Sequence, residues 1–241
     1  MPFTFSHPAV VLPLSYFSKR WFSLTGLVIG SLTPDFEYFL RMRIKSIYSH
    51  TWSGVFWFDL PLGLLLAYLF HNLVRNSLFE HLPRFLKSRL YSFQTFNWNV
   101  YLLKNWFIVI VSIIIGAGSH ILWDSFTHER GYFVEIIPLL SQKLNYFGIE
   151  VPIFKIVQHT STFIGGLIIA YTIFQLPIST IDKVKFNYKY WTILFTLTLL
   201  IALIRIMNRQ QWKEIGNCIV TFIAAGLISL VITPLLIRSK K

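Results

Sequence analysis

His120, Asp124 and His128 stand four residues apart in the stretch SHILWDSFTH, residues 119–128. At 3.6 residues per turn, each step of four overshoots a full circle by only about 40°, so the spacing predicts one row on one helix face. Imidazole nitrogen and carboxylate oxygen suit zinc, manganese or iron better than a thiophilic metal. The row closes an apolar run, and ionisable groups inside or at the rim of such a run are costly and usually functional. Gly116 and Gly118, just before it, predict the close approach of a neighbouring helix.

The elements that must hold this row are hydrophobic. Of the 241 residues 54% are hydrophobic and only 13% charged, too few charges for a surface facing water all round. Five runs are long and apolar enough for a bilayer crossing of about 20 helical residues: 54–74, 104–123, 158–177, 191–207 and 215–236. Residues 8–18 and 21–33 are apolar but too short to span alone, and predict a helical hairpin or a broken span. Residues 75–103 read as a basic, aromatic interfacial connection. Residues 125–156 read as a solvent-facing loop. The expected fold is all-α: a polytopic membrane helix bundle of about five spans plus an N-terminal helical hairpin. Residues 1–177 carry the His/Asp chemistry, and 178–241 complete the bundle.

The net charge of +12 does not point to nucleic acid. Lys and Arg flank apolar runs, as at Lys19-Arg20, Arg41–Lys45, Arg84–Arg89 and Lys183–Lys189, the pattern of juxtamembrane charge meeting anionic lipid. No aromatic–basic platform for bases is recognisable. The expected partner is therefore membrane lipid. Cys218, the single cysteine, excludes an intrachain disulfide. The opening segment has no basic stretch ahead of its apolar residues and does not read as a cleavable signal peptide.

Five spans alternate sides, which places residues 1–53, 125–157 and 208–214 on one face of the membrane. That alternation, assigned from hydropathy alone, gathers His7, Asp35, His50, Asp59, His120, Asp124, His128 and His159 on or near the same face. Lys and Arg divide evenly between the two faces, and only the C-terminal Arg238, Lys240 and Lys241 lean the His/Asp face to the extracytoplasmic side. Plainer roles stand beside this one. Asp35 after Pro34 caps a helix starting at Phe36; Asp59 before Pro61 marks a kink; Glu37 is exposed. His71 and His81 fall on the other face as interfacial residues, and Ser161 and Thr162 are hydrogen-bond donors behind the ligands or packing hydroxyls.

The segments MPFTFSHP, GSLTPDFEYF (30–39), YSHTWSG (48–54), HILWDSFTHERG (120–131) and VQHTST (157–162) together resemble an uncharacterised bacterial membrane-protein family, domain of unknown function 4184. They are also similar to a wider group of membrane-bound metal-dependent hydrolases, through Gly30-Ser31, Pro34-Asp35, His50-Thr51 and the pair His120 and Asp124. That group in turn is similar to zinc-dependent phospholipase C and P1 nuclease. The resemblance implies Asp35, His50, His120 and Asp124 as metal ligands, with His7, His128 and His159 as further ones, and one or two ions, zinc or manganese. Two features depart from the soluble enzymes: the chain begins Met-Pro-Phe where they use an N-terminal Trp amine, and His159 is followed at +4 by Phe163 instead of Glu.

A divalent metal held this way acidifies bound water and polarises a phosphoryl or acyl oxygen. Asp35 or Asp59, where not ligating, is the expected general base, and Arg130 the partner of a phosphate. The expected activity is hydrolysis of a phosphoester or lipid-linked substrate at the membrane surface. A metal or proton transporter would need polar groups at mid-span, which 191–236 hardly offers. A non-enzymatic protein with a structural metal or hydrogen-bond cluster would need a closed site.

Overall fold

The chain is seen as a computed structural model describing residues 3–17, 21–181, 188–209 and 214–237. Among the described residues it is all-α apart from one small hairpin, and five helices are long and apolar enough to cross a membrane: Trp52–His81, Trp98–Asp124, Ile153–Phe174, Tyr188–Met207 and Ile215–Leu236. Each corresponds to one of the five expected runs. The basic residues Lys19-Arg20, Lys183 and Lys185, and the C-terminal Arg238, Lys240 and Lys241, lie outside the described residues.

Helices are numbered here as α1 Leu24–Gly30, α2 Thr33–Arg41, α3 Trp52–His81, α4 Arg84–Leu90, α5 Trp98–Asp124, α6 Ile153–Phe174, α7 Tyr188–Arg209 and α8 Ile215–Leu236. Ahead of α1, the apolar residues expected as half of a hairpin form only short pieces: a 3₁₀ turn at Thr4–Ser6, one helical turn at Pro8–Val11 and a second 3₁₀ stretch at Leu12–Tyr16. Pro8 and Pro13 carry no amide hydrogen, so a longer regular helix would lose bonds there.

The chain divides into two compact units, Met1–Asp35 with Tyr48–Leu64 and Asn105–Phe174, and Phe36–Ile47 with Leu65–Lys104 and Gln175–Lys241. The first contains every residue of the His/Asp group described below. The second takes in residues 36–47 and 65–104 as well as the C-terminal helices.

Within the first unit, glycines set how closely helices cross. A Cβ at Gly30 would lie 2.3 Å from the Ile113 carbonyl oxygen, and one at Gly116 would lie 2.5 Å from the Leu27 oxygen. α1 and α5 thus meet backbone to backbone, as small residues allow in membranes. Gly118, expected to share this role, meets only the Trp52 ring at an ordinary 3.6 Å. Ser23 caps α1, its hydroxyl oxygen accepting from the Gly26 amide at 3.2 Å. Thr51 does the same for α3, accepting from the Gly54 amide at 2.9 Å.

α3 contains two π turns, Val55–Asp59 and Phe70–Val74. The first ends two residues before Pro61, so the expected irregularity at Asp59 takes the form of a widened turn. α5 is broken at Asn105, whose φ of −129° is not helical, next to the expected start of the span at residue 104. The expected loop 125–156 contains an antiparallel hairpin, β1 Lys143–Tyr146 and β2 Ile149–Pro152. Phe147 and Gly148 both take positive φ, 50° and 84°, as a two-residue hairpin turn of the primed kind requires.

In the second unit α7 and α8 pack together. Some of their polar groups bind the backbone of residues 41–44: Arg205 donates to the Arg41 carbonyl at 2.7 Å, and Asn217 Oδ1 accepts from the Ile44 amide at 2.9 Å. Glu37, expected to be exposed, is buried and paired with Arg41 at 2.7 Å, and it accepts from the Ile47 amide. His71 is likewise buried, stacked on Trp98 at 4.7 Å, instead of interfacial.

Candidate metal centre

Four short segments of the first unit deliver one group of side chains. α5 ends at Asp124, which places His120 and Asp124 on one face of its last turn. α2 carries Asp35 in its first turn. His50 sits immediately before the Thr51 cap of α3, in a turn so tight that a Cβ at Gly54 would lie 2.0 Å from the Tyr48 oxygen. The N-terminal 3₁₀ turn brings His7 against His120, ring on ring, with centroids 3.6 Å apart.

One ligand atom from each of Asp35, His50, His120 and Asp124 lies within 4.8 Å of the other three. His50 Nε2 is 3.5 Å from Asp35 Oδ1 and 3.5 Å from Asp124 Oδ2, and His120 Nε2 is 3.5 Å and 3.4 Å from the same two oxygens. Nitrogen and oxygen therefore alternate around a closed four-sided ring. A point at its centre is about 2.1 Å from each corner if the ring puckers into a tetrahedron and about 2.5 Å if it is flat; zinc takes such donors at about 2.0–2.2 Å. Calcium would accept the longer distance but prefers oxygen throughout, and half of these donors are imidazoles.

The sides of the ring are also too long for hydrogen bonds, which run to about 3.2 Å between nitrogen and oxygen. Asp35 Oδ1, both carboxylate oxygens of Asp124, His120 Nε2 and both ring nitrogens of His7 are buried without a hydrogen-bond partner among the described residues. Asp35 and His120 have no exposed surface. Native proteins rarely leave so many buried polar atoms unsatisfied in one place, and a shared cation would satisfy them together.

The outer contacts aim the ligands. His120 Nδ1 lies 2.7 Å from the Ser31 carbonyl oxygen. Donation of the Nδ1 hydrogen there leaves the Nε2 lone pair facing the carboxylates, the usual support of a metal-bound imidazole. Ser31 reaches this position because α1 and α5 cross so closely. Thr4 Oγ1 donates to Asp35 Oδ2 at 2.6 Å and so turns Oδ1 towards the imidazoles. Ser49 Oγ is 3.1 Å from His50 Nδ1. Ser31 belongs to the Gly30-Ser31, Pro34-Asp35 motif, although its carbonyl contact is not visible there, and nothing local in MPFTFSHP singles out Thr4. Their roles exist only once distant segments meet.

Charge follows from this packing. Burial, and then the neighbouring His120, lower His7 to about 3, so its imidazole is neutral at pH 7. Burial pushes the Asp35 carboxyl up, but the His120 and His50 imidazoles outweigh it and hold the group below the usual carboxylate range. His50 is pushed down by burial and more strongly up by the Asp124 and Asp35 carboxylates.

Not every expected ligand joins the ring. His7 is adjacent, its Nε2 3.5 Å from Asp124 Oδ1. His128 was expected in one helical row with His120 and Asp124, but α5 stops at Asp124. The amides of Thr127 and His128 both turn back to the Asp124 carbonyl, and Gly131 leaves no room for a Cβ beside Ser125. His128 Nδ1 also bonds that carbonyl at 2.9 Å, and lies 3.7 Å from Asp124 Oδ2. Its ring caps the helix end, and burial lowers its affinity for a proton. His159 is exposed on α6 and outside the group. Asp59 is buried in α3 but contributes no atom to the group, and Arg130 is exposed in the loop after α5.

No curated protein and no solved structure matches the chain. The family model described as domain of unknown function (DUF4184) matches residues 1–235, and the chain belongs to that family.

Proposed function

We propose that this integral membrane protein is a metal-dependent hydrolase, acting on a phosphoester at the membrane face through a divalent cation held by Asp35, His50, His120 and Asp124. The carrying observation is the alternating ring of nitrogen and oxygen, spaced for a shared cation and too wide for hydrogen bonds. The resemblance of the ligand segments to membrane-bound metal-dependent hydrolases points the same way. A zinc- or manganese-like ion there supplies Lewis-acid polarisation of a phosphoryl oxygen and an acidified water.

The chain's own groups have separable tasks. Asp35 and Asp124 bring two negative charges that offset those of a divalent ion, and His120, oriented by Ser31, presents a neutral donor. His50, with a fifth of its side chain exposed, is the ligand nearest to solvent. His7 is neutral and beside Asp124, which suits it to accept a hydrogen bond from an attacking water and so orient it. Asp35 serves as a ligand in this arrangement, and no step falls to Asp59, Arg130 or His159.

Elemental analysis of the purified protein should find at least one zinc or manganese per chain, and His120→Ala/Asp124→Ala should lose it. Metal content unchanged in that double variant would sink the site. The complete burial of Asp35 and His120 favours a second reading, a structural cation that ties four segments together. A panel of phosphodiester, phosphomonoester and lipid phosphate substrates separates the two: full metal content with no turnover anywhere leaves the structural reading standing.

A further inference from the structure

We propose that the cavity beside the metal group is a channel for one hydrocarbon chain, which makes the substrate a lipid with a phosphoester head instead of a soluble phosphoester. The identity of the head rests on the hydrolase reading; the chain channel stands on its own geometry. The cavity is half-open, has a volume of about 390 Å³, and lies within the first unit. α6 walls it from Ile156 to Ile168, with Val10 of the N-terminal segment and Trp123 of α5 opposite or beside it. Ile156 and Ile168 are twelve residues apart, or about 18 Å of helix. One leaflet is half of the roughly 30 Å hydrocarbon core, so the channel has the reach of a single acyl chain. A partner helix, about 10–12 Å across with its side chains, would not fit such a space.

The wall is apolar except at Ser6, His7, Thr160 and Ser161. Ser161 Oγ donates to the Gln158 carbonyl at 3.0 Å and Ser6 Oγ to the Thr162 carbonyl at 3.0 Å, so both hydroxyl hydrogens are spent on backbone. His7 is the polar residue that borders the ligand group. It forms part of the cavity wall, its ring stacks on His120, and its Nε2 lies 3.5 Å from Asp124 Oδ1. A chain lying in the channel therefore runs past His7, whose ring stands between it and the ligand group. Hydrocarbon gains little by leaving a bilayer for a wall that is equally apolar. Selection then falls to the head, at His7, where the channel wall borders the ligand group.

The test uses the full chain reconstituted in vesicles of phosphatidylethanolamine and phosphatidylglycerol, doped with phosphatidic acid carrying a diazirine on one acyl chain. Photolysis should concentrate adducts on residues 156–168 and on Ala9 and Val10, and excess dodecyl phosphate should suppress those adducts but not the ones on α7 and α8. Ile164→Trp, which fills the channel, should lose the site adducts. Leu167→Trp, on the same helix but outside the cavity, should keep them. Thr160→Phe serves as a second filling variant if Ile164→Trp does not fold, and metal content checks each preparation. Adducts spread evenly over all lipid-facing helices, or unmoved by either filling variant, overturn the channel. Channel labelling without turnover of any phosphoester overturns the hydrolase reading alone. Turnover of p-nitrophenyl phosphate with evenly spread adducts overturns the channel alone.

Discussion

Replacing Thr4 by Val tests whether Asp35 is a ligand aimed by its neighbour. The two side chains have nearly the same shape, and Thr4 is buried, so the change removes one hydroxyl from a closed site. That hydroxyl donates to Asp35 Oδ2 at 2.6 Å, a short bond to a fully buried carboxylate. Hydrogen bonds to charged groups contribute about 1.5–3 kcal/mol. Without this one, the carboxylate can swing Oδ1 out of the ring. Loss of an outer-shell partner typically weakens metal binding by about 10–100-fold, or about 1.4–2.7 kcal/mol. Thr4→Ser keeps the hydroxyl and should stay close to wild type. The assay is competition for zinc against a chromophoric chelator in detergent, with thermal unfolding followed in parallel. An unchanged zinc affinity in Thr4→Val, in a protein that still folds, would refute the assignment of Asp35 as a ligand positioned through Oδ2.

Gly116→Ala would place a Cβ 2.5 Å from the Leu27 oxygen and prise α1 from α5, so it should cost about 1–3 kcal/mol of stability and lower metal content through Ser31 and His120, whereas Gly118→Ala should do neither; thermal unfolding with elemental analysis checks both. His159→Ala should leave metal content unchanged, and a loss comparable to that of His120→Ala would contradict its exposed position. Metal binding requires neutral imidazoles, and the Asp124 and Asp35 carboxylates raise His50 above the ordinary His value of about 6.5, so occupancy should begin to fall above that pH and be lost below it. Equilibrium dialysis across about pH 5–8 measures this, and a flat profile would argue against imidazole ligands.

The sequence carried some of this site in plain view. His120 and Asp124 obey a local rule, one face of one helix, and the helix keeps it. His128 obeys the same spacing, yet it misses the row because a helix end depends on carbonyl partners in the following turn, which spacing does not encode. Asp35 and His50 share no local relation with α5. Counting membrane crossings brought them to the same face, since a span fixes which end of each segment is near which other. That resolution is coarse: it also admitted Asp59 and His159, which do not join the ring. The hairpin at 143–152 was hidden because Phe at a positive-φ turn position is an unusual signal.

The hydrogen bonds around the centre also impose an order on its making. Phe3 N donates to Thr162 Oγ1 across 159 residues, and His120 reaches Ser31 across 89. Synthesis runs from the N-terminus, so His7 and Asp35 emerge long before any partner exists for them. A nascent chain paused before residue 120 holds no imidazole–carboxylate ring, and one paused before 162 still lacks the anchor for the segment that carries His7. Metal capture is therefore a late event in biogenesis, an acceptance mark applied only to chains whose opening residues and third long helix have already found each other.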